Sequence, residues 1–173
     1  MTNKLKKYTI LAVTAVILLC SFSTSEASYY DSSTAIVSNS AVTAAELDQT
    51  LAGTGLAGLG QDFVDAERLH GVNAVFLAAL AAHESAWGES DLAQTKNNLF
   101  GYGAYDDDPD NAFAYASPRE CILAVAAALA EDYGSPDGCF YVDGTIAGVN
   151  SVYASSQSWS TAITGAMMAI DPR

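Results

Sequence analysis

Apolar and polar positions along this chain recur with helical periods, and the run from Leu77 to Ser90 is where the pattern is most constrained. Leu77, Leu80 and Glu84 follow the i, i+3, i+7 rule and Ala81 widens the stripe, so a face that seeks the core carries a carboxylate at its end. Asn73 is placed to cap this helix, and Gly88 to end it and open a polar loop to Asn98. Upstream, Thr43 with Glu46 reads as a capping box for a short helix through Leu51, and a second helix starts near Leu59 or Gln61 and stops at Gly71. Downstream, Ser117-Pro118-Arg119-Glu120 starts a helix that runs through Ile122, Val125, Ala126 and Leu129 to Tyr133, where Gly134 stops it. Two more helices are expected, one from Thr145 to Tyr153 and one from Ser158 or Trp159 to Ile170. The class is mainly α.

Between Gly88 and Ala116 the character changes. Asn97, Asn98, Gly101, Gly103 and the acidic run Asp106-Asp107-Asp108-Pro109-Asp110 interleave with Phe100, Tyr102, Tyr105, Phe113 and Tyr115, which predicts a small β-hairpin or irregular lobe. Long loops in compact domains usually carry function.

The first residues read as a signal peptide: Lys4, Lys6 and Lys7, an apolar run from Tyr8 to Cys20, then Ser25-Glu26-Ala27 as cleavage site. The expected organisation is a signal peptide over 1–27, a flexible leader over 28–42 and one catalytic domain over 43–173, secreted or held at the cell wall after cleavage near Ala27. Cleavage removes three lysines and one glutamate, taking the formal charge from −13 to −15. So acidic a protein is a poor partner for nucleic acid or a membrane surface, since phosphate binding rests on Lys and Arg. Cys121 and Cys139 remain, and their pairing stays open, because a helix from Pro118 puts Cys121 far from its end. The Asp run lacks the alternating oxygen spacing of a calcium loop, and no Cys or His grouping has zinc spacing, so no metal and no cofactor are expected, and the protein is read as a monomer.

Glu84 carries the candidate chemistry. A carboxyl drawn against Leu side chains and Trp87 loses hydration, which favours the neutral form a general acid needs. The plain alternative is a Glu at a helix end facing water. His83 points about 100° away and reads as a packed or surface residue.

Glu84-Ser85-Ala86-Trp87-Gly88-Glu89-Ser90 followed by Asn97-Asn98-Leu99-Phe100-Gly101 resembles the signature of bacterial wall N-acetylglucosaminidases of glycoside hydrolase family 73. Phe113 to Glu120, and Gly144 to Ala154 ending near Trp159, resemble later segments of that family in order and spacing. The resemblance implies a lysozyme-like helical core with a groove against the small lobe, peptidoglycan glycan strands as partner, cleavage after N-acetylglucosamine, an autolysin-like role, and Glu84 as general acid. A second group must meet the sugar cation. Asp106 and Asp108 of the acidic run are candidates, as is the substrate's own acetamido oxygen, with Tyr153 orienting it. Trp87, Phe100, Tyr102 and Tyr115 are candidates for contact with sugar faces, and Asn97 and Asn98 for the acetamido groups, against packing and turn-shaping roles for the same residues. A lytic transglycosylase and a non-catalytic wall-binding protein are the alternative readings.

Overall fold

The computed structural model describes residues 30–103, 112–153, 156 and 158–173, and it is almost wholly helical. In chain order the helices are α1 (Ala44–Thr50), α2 (Gly60–His70), α3 (Ala74–Glu84), α4 (Asp91–Lys96), α5 (Pro118–Ala128), α6 (Ile146–Tyr153) and α7 (Ser158–Ile170), with a π-helical turn over Leu129–Gly134 continuing α5. Residues 1–27, expected to be a signal peptide, lie outside the described residues, as do Tyr105, Asp106, Asp107, Asp108 and Asp110.

Local chemistry sets the helix starts. Thr43 and Glu46 cap α1 reciprocally, the Asn73 side chain accepts the Phe76 amide at the start of α3, and Ser117 accepts the Glu120 amide with Pro118 in the first turn of α5. Gly71 closes α2 in the left-handed conformation, φ 77°.

The axis of the molecule is α3. Every residue from Ala74 to Ala82 is buried, so the expected stripe is a helix covered on all sides. Four of its residues, Val75, Phe76, Leu77 and Leu80, supply bulk, and the alanines between them let neighbours come close. Each such apolar side chain contributes about 1.5–3 kcal/mol on burial. α7 lies along α3 through Trp159, Ile163, Met167 and Ile170, and α2 packs on both α3 and α5. Arg119 of α5 bridges to Asp62 and Asp65 of α2 at 2.6 and 2.8 Å.

Several expectations are corrected. Residues 30–42, read as flexible, form a strap across the core: the Tyr30 hydroxyl donates to buried Asp171 at 2.6 Å, Ile36 is fully buried, and isolated bridges join Ala35 to Thr145 and Val37 to Val72. Single bridges leave no periodic pattern, which is why the segment looks featureless in sequence. The polar loop after Gly88 contains a helix, α4, capped by Ser90. Helix α3 ends at Glu84, four residues before Gly88. Cys121 is a free buried thiol and Cys139 a free exposed one that hydrogen-bonds Asp132, so the two are not paired. The described part of the small lobe, residues 97–103 and 112–117, is irregular and contains no hairpin strand.

Candidate active site

Glu84 stands where the buried axis helix reaches the surface. It is half-exposed, one residue beyond the exposed His83 and one before the fully buried Ser85. The Ser85 hydroxyl donates to the Ala81 carbonyl at 2.6 Å and accepts the Gly88 amide at 2.7 Å, closing the helix and reversing the chain. Ala86, Trp87 and Gly88 then follow one another at positive φ, 50°, 60° and 84°. For Ala and Trp this is strained backbone, of the kind that collects at functional sites. The Gln94 amide of α4 holds the turn from outside, donating to the Gly88 carbonyl at 2.6 Å.

The tryptophan on the acid is Trp159. Its indole N–H, from the first turn of α7, donates to Glu84 Oε1 at 3.0 Å. Among the described residues, Oε2 has no hydrogen-bond partner. Trp87, expected to desolvate the acid, is instead 37% exposed on the left-handed turn.

Behind Trp159 the rings continue. Tyr153 lies against it at 5.4 Å between centroids, Tyr133 meets Tyr153 edge-on at 6.2 Å, and Phe140 lies on Tyr133 at 5.2 Å. Burial, and then the charge of Glu84, push the Tyr153 phenol well above its ordinary range. Burial also lifts Tyr133, and lifts Tyr115 to about 12, with the Tyr102 hydroxyl adding to all three shifts. Tyr102 therefore lies within electrostatic reach of each of the other three phenols. Tyr102 comes from the small lobe, 40% exposed and stacked on Phe113 at 6.0 Å.

Of the expected site residues, Tyr153 is brought within electrostatic reach of Glu84, and Tyr102 of the lobe within reach of Tyr153, whereas Tyr115 neighbours Tyr102. Asn98 and Phe100 do not reach the surface, at 1% and 2% exposure. The Asn98 amide donates to the Tyr102 and Phe113 carbonyls, both at 2.9 Å, and its oxygen accepts the Tyr102 amide at 3.0 Å, so it ties the two limbs of the lobe together. Asn97 is half-buried in the left-handed conformation and donates to the Tyr115 carbonyl at 2.8 Å. Asp106 and Asp108 lie outside the described residues. Trp159 is the site residue that the sequence did not single out; its one signal was its place at the end of the last motif. No group of three or more His, Cys, Asp or Glu that could hold a metal occurs among the described residues. A separate hollow of about 360 Å³ opens on a neighbouring face of α7, lined by Tyr30, Asp31 and Thr164 among others, and touches neither Glu84 nor Tyr153.

The helical core thus ends its axis helix in a partly exposed glutamate beside Trp159 and the ring of Tyr153. The glucosaminidase family model, described as mannosyl-glycoprotein endo-beta-N-acetylglucosaminidase, matches residues 60–172, and the chain belongs to that family. Proteins from two strains of Streptococcus pneumoniae, provisionally named endo-beta-N-acetylglucosaminidases, are 35% identical over 115 residues, which is 66% of this chain but 17% and 16% of theirs. The chain thus spans about a sixth of the length of the curated relatives it matches. A catalytic mutant of Staphylococcus aureus Autolysin E in complex with the disaccharide NAG-NAM superposes with a TM-score of 0.69 at 23% identity, over 82% of this chain and 72% of that one. The catalytic domain of the Listeria monocytogenes autolysin Auto does so with a TM-score of 0.55 at 19% identity, over 72% and 84%. At these identities the likeness is one of fold.

Proposed function

We propose that this protein is a secreted peptidoglycan hydrolase that cleaves the glycan backbone after N-acetylglucosamine, with Glu84 as general acid. The observation that carries the reading is the placement of Glu84: one oxygen anchored by Trp159 at 3.0 Å, the other without a partner among the described residues, at the end of a rigid buried helix. Such a carboxyl can hand a proton to a leaving glycosidic oxygen. Family membership and the likeness to autolysins support the substrate class. The mature protein is read as released after cleavage near Ala27 and acting as a monomer on glycan strands.

The sugar cation that forms as the bond breaks needs a partner. The substrate's acetamido oxygen can attack, with the Tyr153 phenol donating to it or orienting it, or a carboxylate such as Asp106 or Asp108 can stabilise the charge. Tyr153 supports the first route, because its ring lies against Trp159, whose indole is hydrogen-bonded to Glu84. Tyr102, Tyr115 and Trp87 offer ring faces to the pyranose units, and Asn97 is tied to the Tyr115 carbonyl.

Mass spectrometry of fragments released from purified walls by the mature protein and by Glu84→Gln tests the reading. New reducing N-acetylglucosamine ends from the wild type, reduced about 10²–10⁴-fold in the variant, are expected. Anhydro-muramyl ends would make the protein a lytic transglycosylase. Equal glycan binding by both proteins with no release by either would make it a wall-binding protein.

A further inference from the structure

We propose that Trp159 is a positioning residue for the acid, and that its indole decides which oxygen of Glu84 delivers the proton. The proposal rests on the reading of Glu84 as general acid. An indole N–H can only donate, so Oε1 serves it best as the carbonyl-like oxygen, and the proton of the neutral acid resides on Oε2. The 3.0 Å bond therefore does more than hold a rotamer: it points the acidic O–H away from α7.

The indole is itself fixed. Trp159 is 6% exposed, and the Tyr153 ring leans on it at 5.4 Å and 42°, with Tyr133 and Phe140 continuing the stack behind. At its other end, the first turn of α7 is tied to α6, since the Asn150 oxygen accepts the Ser160 amide at 3.2 Å and its nitrogen donates to the Ser156 carbonyl at 2.9 Å. Glu84 in turn cannot shift along its helix, because α3 is closed on all sides. Two rigid elements 75 residues apart thus meet at one hydrogen bond, and the side chain between them keeps little freedom. Proton delivery depends on such alignment, where small misplacements cost large factors in rate.

Trp159→Phe keeps most of the aromatic body and removes only the donor. It is expected to lower kcat about tenfold with KM within about twofold, the pattern of an interaction that orients the acid without binding substrate. Trp159→His, which retains a ring N–H, is expected to recover part of the loss if the donor is what matters. Independently, in protein carrying ¹⁵N-tryptophan, the Trp159 indole N–H resonance should move as Glu84 takes up its proton and should stay still in Glu84→Gln. An inactive Glu84→Gln beside a Trp159→Phe that keeps its kcat would overturn the proposal, and so would an indole resonance that ignores pH in the wild type. If Trp159→Phe does not fold, the NMR titration of the wild type decides. A wild type that releases no sugar ends would count against the glucosaminidase reading, while the titration would still decide the hydrogen bond.

Discussion

Gly55 and Gly88 touch backbone to backbone: a Cβ added at Gly55 would come within 2.5 Å of the Gly88 carbonyl oxygen and 2.6 Å of its carbon. Gly88 is the third residue of the left-handed turn that follows Glu84, and its carbonyl is also held by Gln94. The segment after α1 therefore buttresses the turn that ends the axis helix, at a spacing only glycine permits. Gly55→Ala is expected to cost about 1–3 kcal/mol, because the obstacle is backbone that cannot rotate away. It should also lower activity more than its loss of stability explains, since relief comes by displacing the turn next to Glu84. Chemical denaturation alongside turnover at a temperature where the variant is folded would separate the two.

Tyr153→Phe keeps the ring contacts with Trp159 and Tyr133 and deletes the hydroxyl. If that phenol orients the acetamido group, kcat should fall about 10–100-fold while the melting temperature stays within a few degrees. Because burial and the Glu84 charge keep the phenol protonated, no alkaline limb in the pH profile should belong to it.

The strap makes stability sensitive to acid. Burial raises the carboxyl of Asp171, but hydrogen bonds from Arg173 and Tyr30 outweigh it and the net shift is downward from 3.8. A carboxylate whose folded value is depressed contributes stability that is fully present above its unfolded value, near pH 4, and is lost as pH falls through the folded one. Asp171→Asn should cost about 2 kcal/mol at neutral pH, and the difference from wild type should shrink below pH 4. Melting temperatures of both proteins from pH 3 to 7 would check this; a constant offset would contradict it.

Asn73 joins strap to axis helix. Its oxygen accepts the Phe76 amide at 3.0 Å, its nitrogen donates to the Ser38 hydroxyl at 3.1 Å, and its own amide donates to the Ile36 carbonyl at 2.9 Å. Asn73→Ala should cost about 1–2 kcal/mol, the upper end of a lost cap, because the site is buried. It should also raise amide exchange over residues 36–38, which hydrogen–deuterium exchange would detect.

Legibility in the sequence followed the range of each interaction. Thr43 with Glu46, Asn73 and Ser117 with Pro118 act within four residues, and each helix they start stands where the pattern put it. α4 was missed although Ser90-Asp91 is a fair cap, because a helix of six residues is too short to show a period. Asn98 and Phe100 looked like ligand-facing residues of an aromatic loop, yet that loop needs an interior of its own, and they supply it. Nothing near Trp87 in sequence marks it as the wrong tryptophan for the acid.

The sequence by itself determined a mainly helical domain and the helix that carries Glu84, since caps, glycine stops and apolar periods are written in neighbouring residues, and its motif runs resemble the family to which the chain belongs. Only the tertiary structure decided that this helix is enclosed on every side, that residues 30–42 are strapped to the core, and that Trp159 rather than Trp87 holds the acid. The physical reason is that a hydrogen bond spanning 75 residues, or a close approach of two glycine backbones, is set by how the helices stack, and that packing leaves no local mark in the chain.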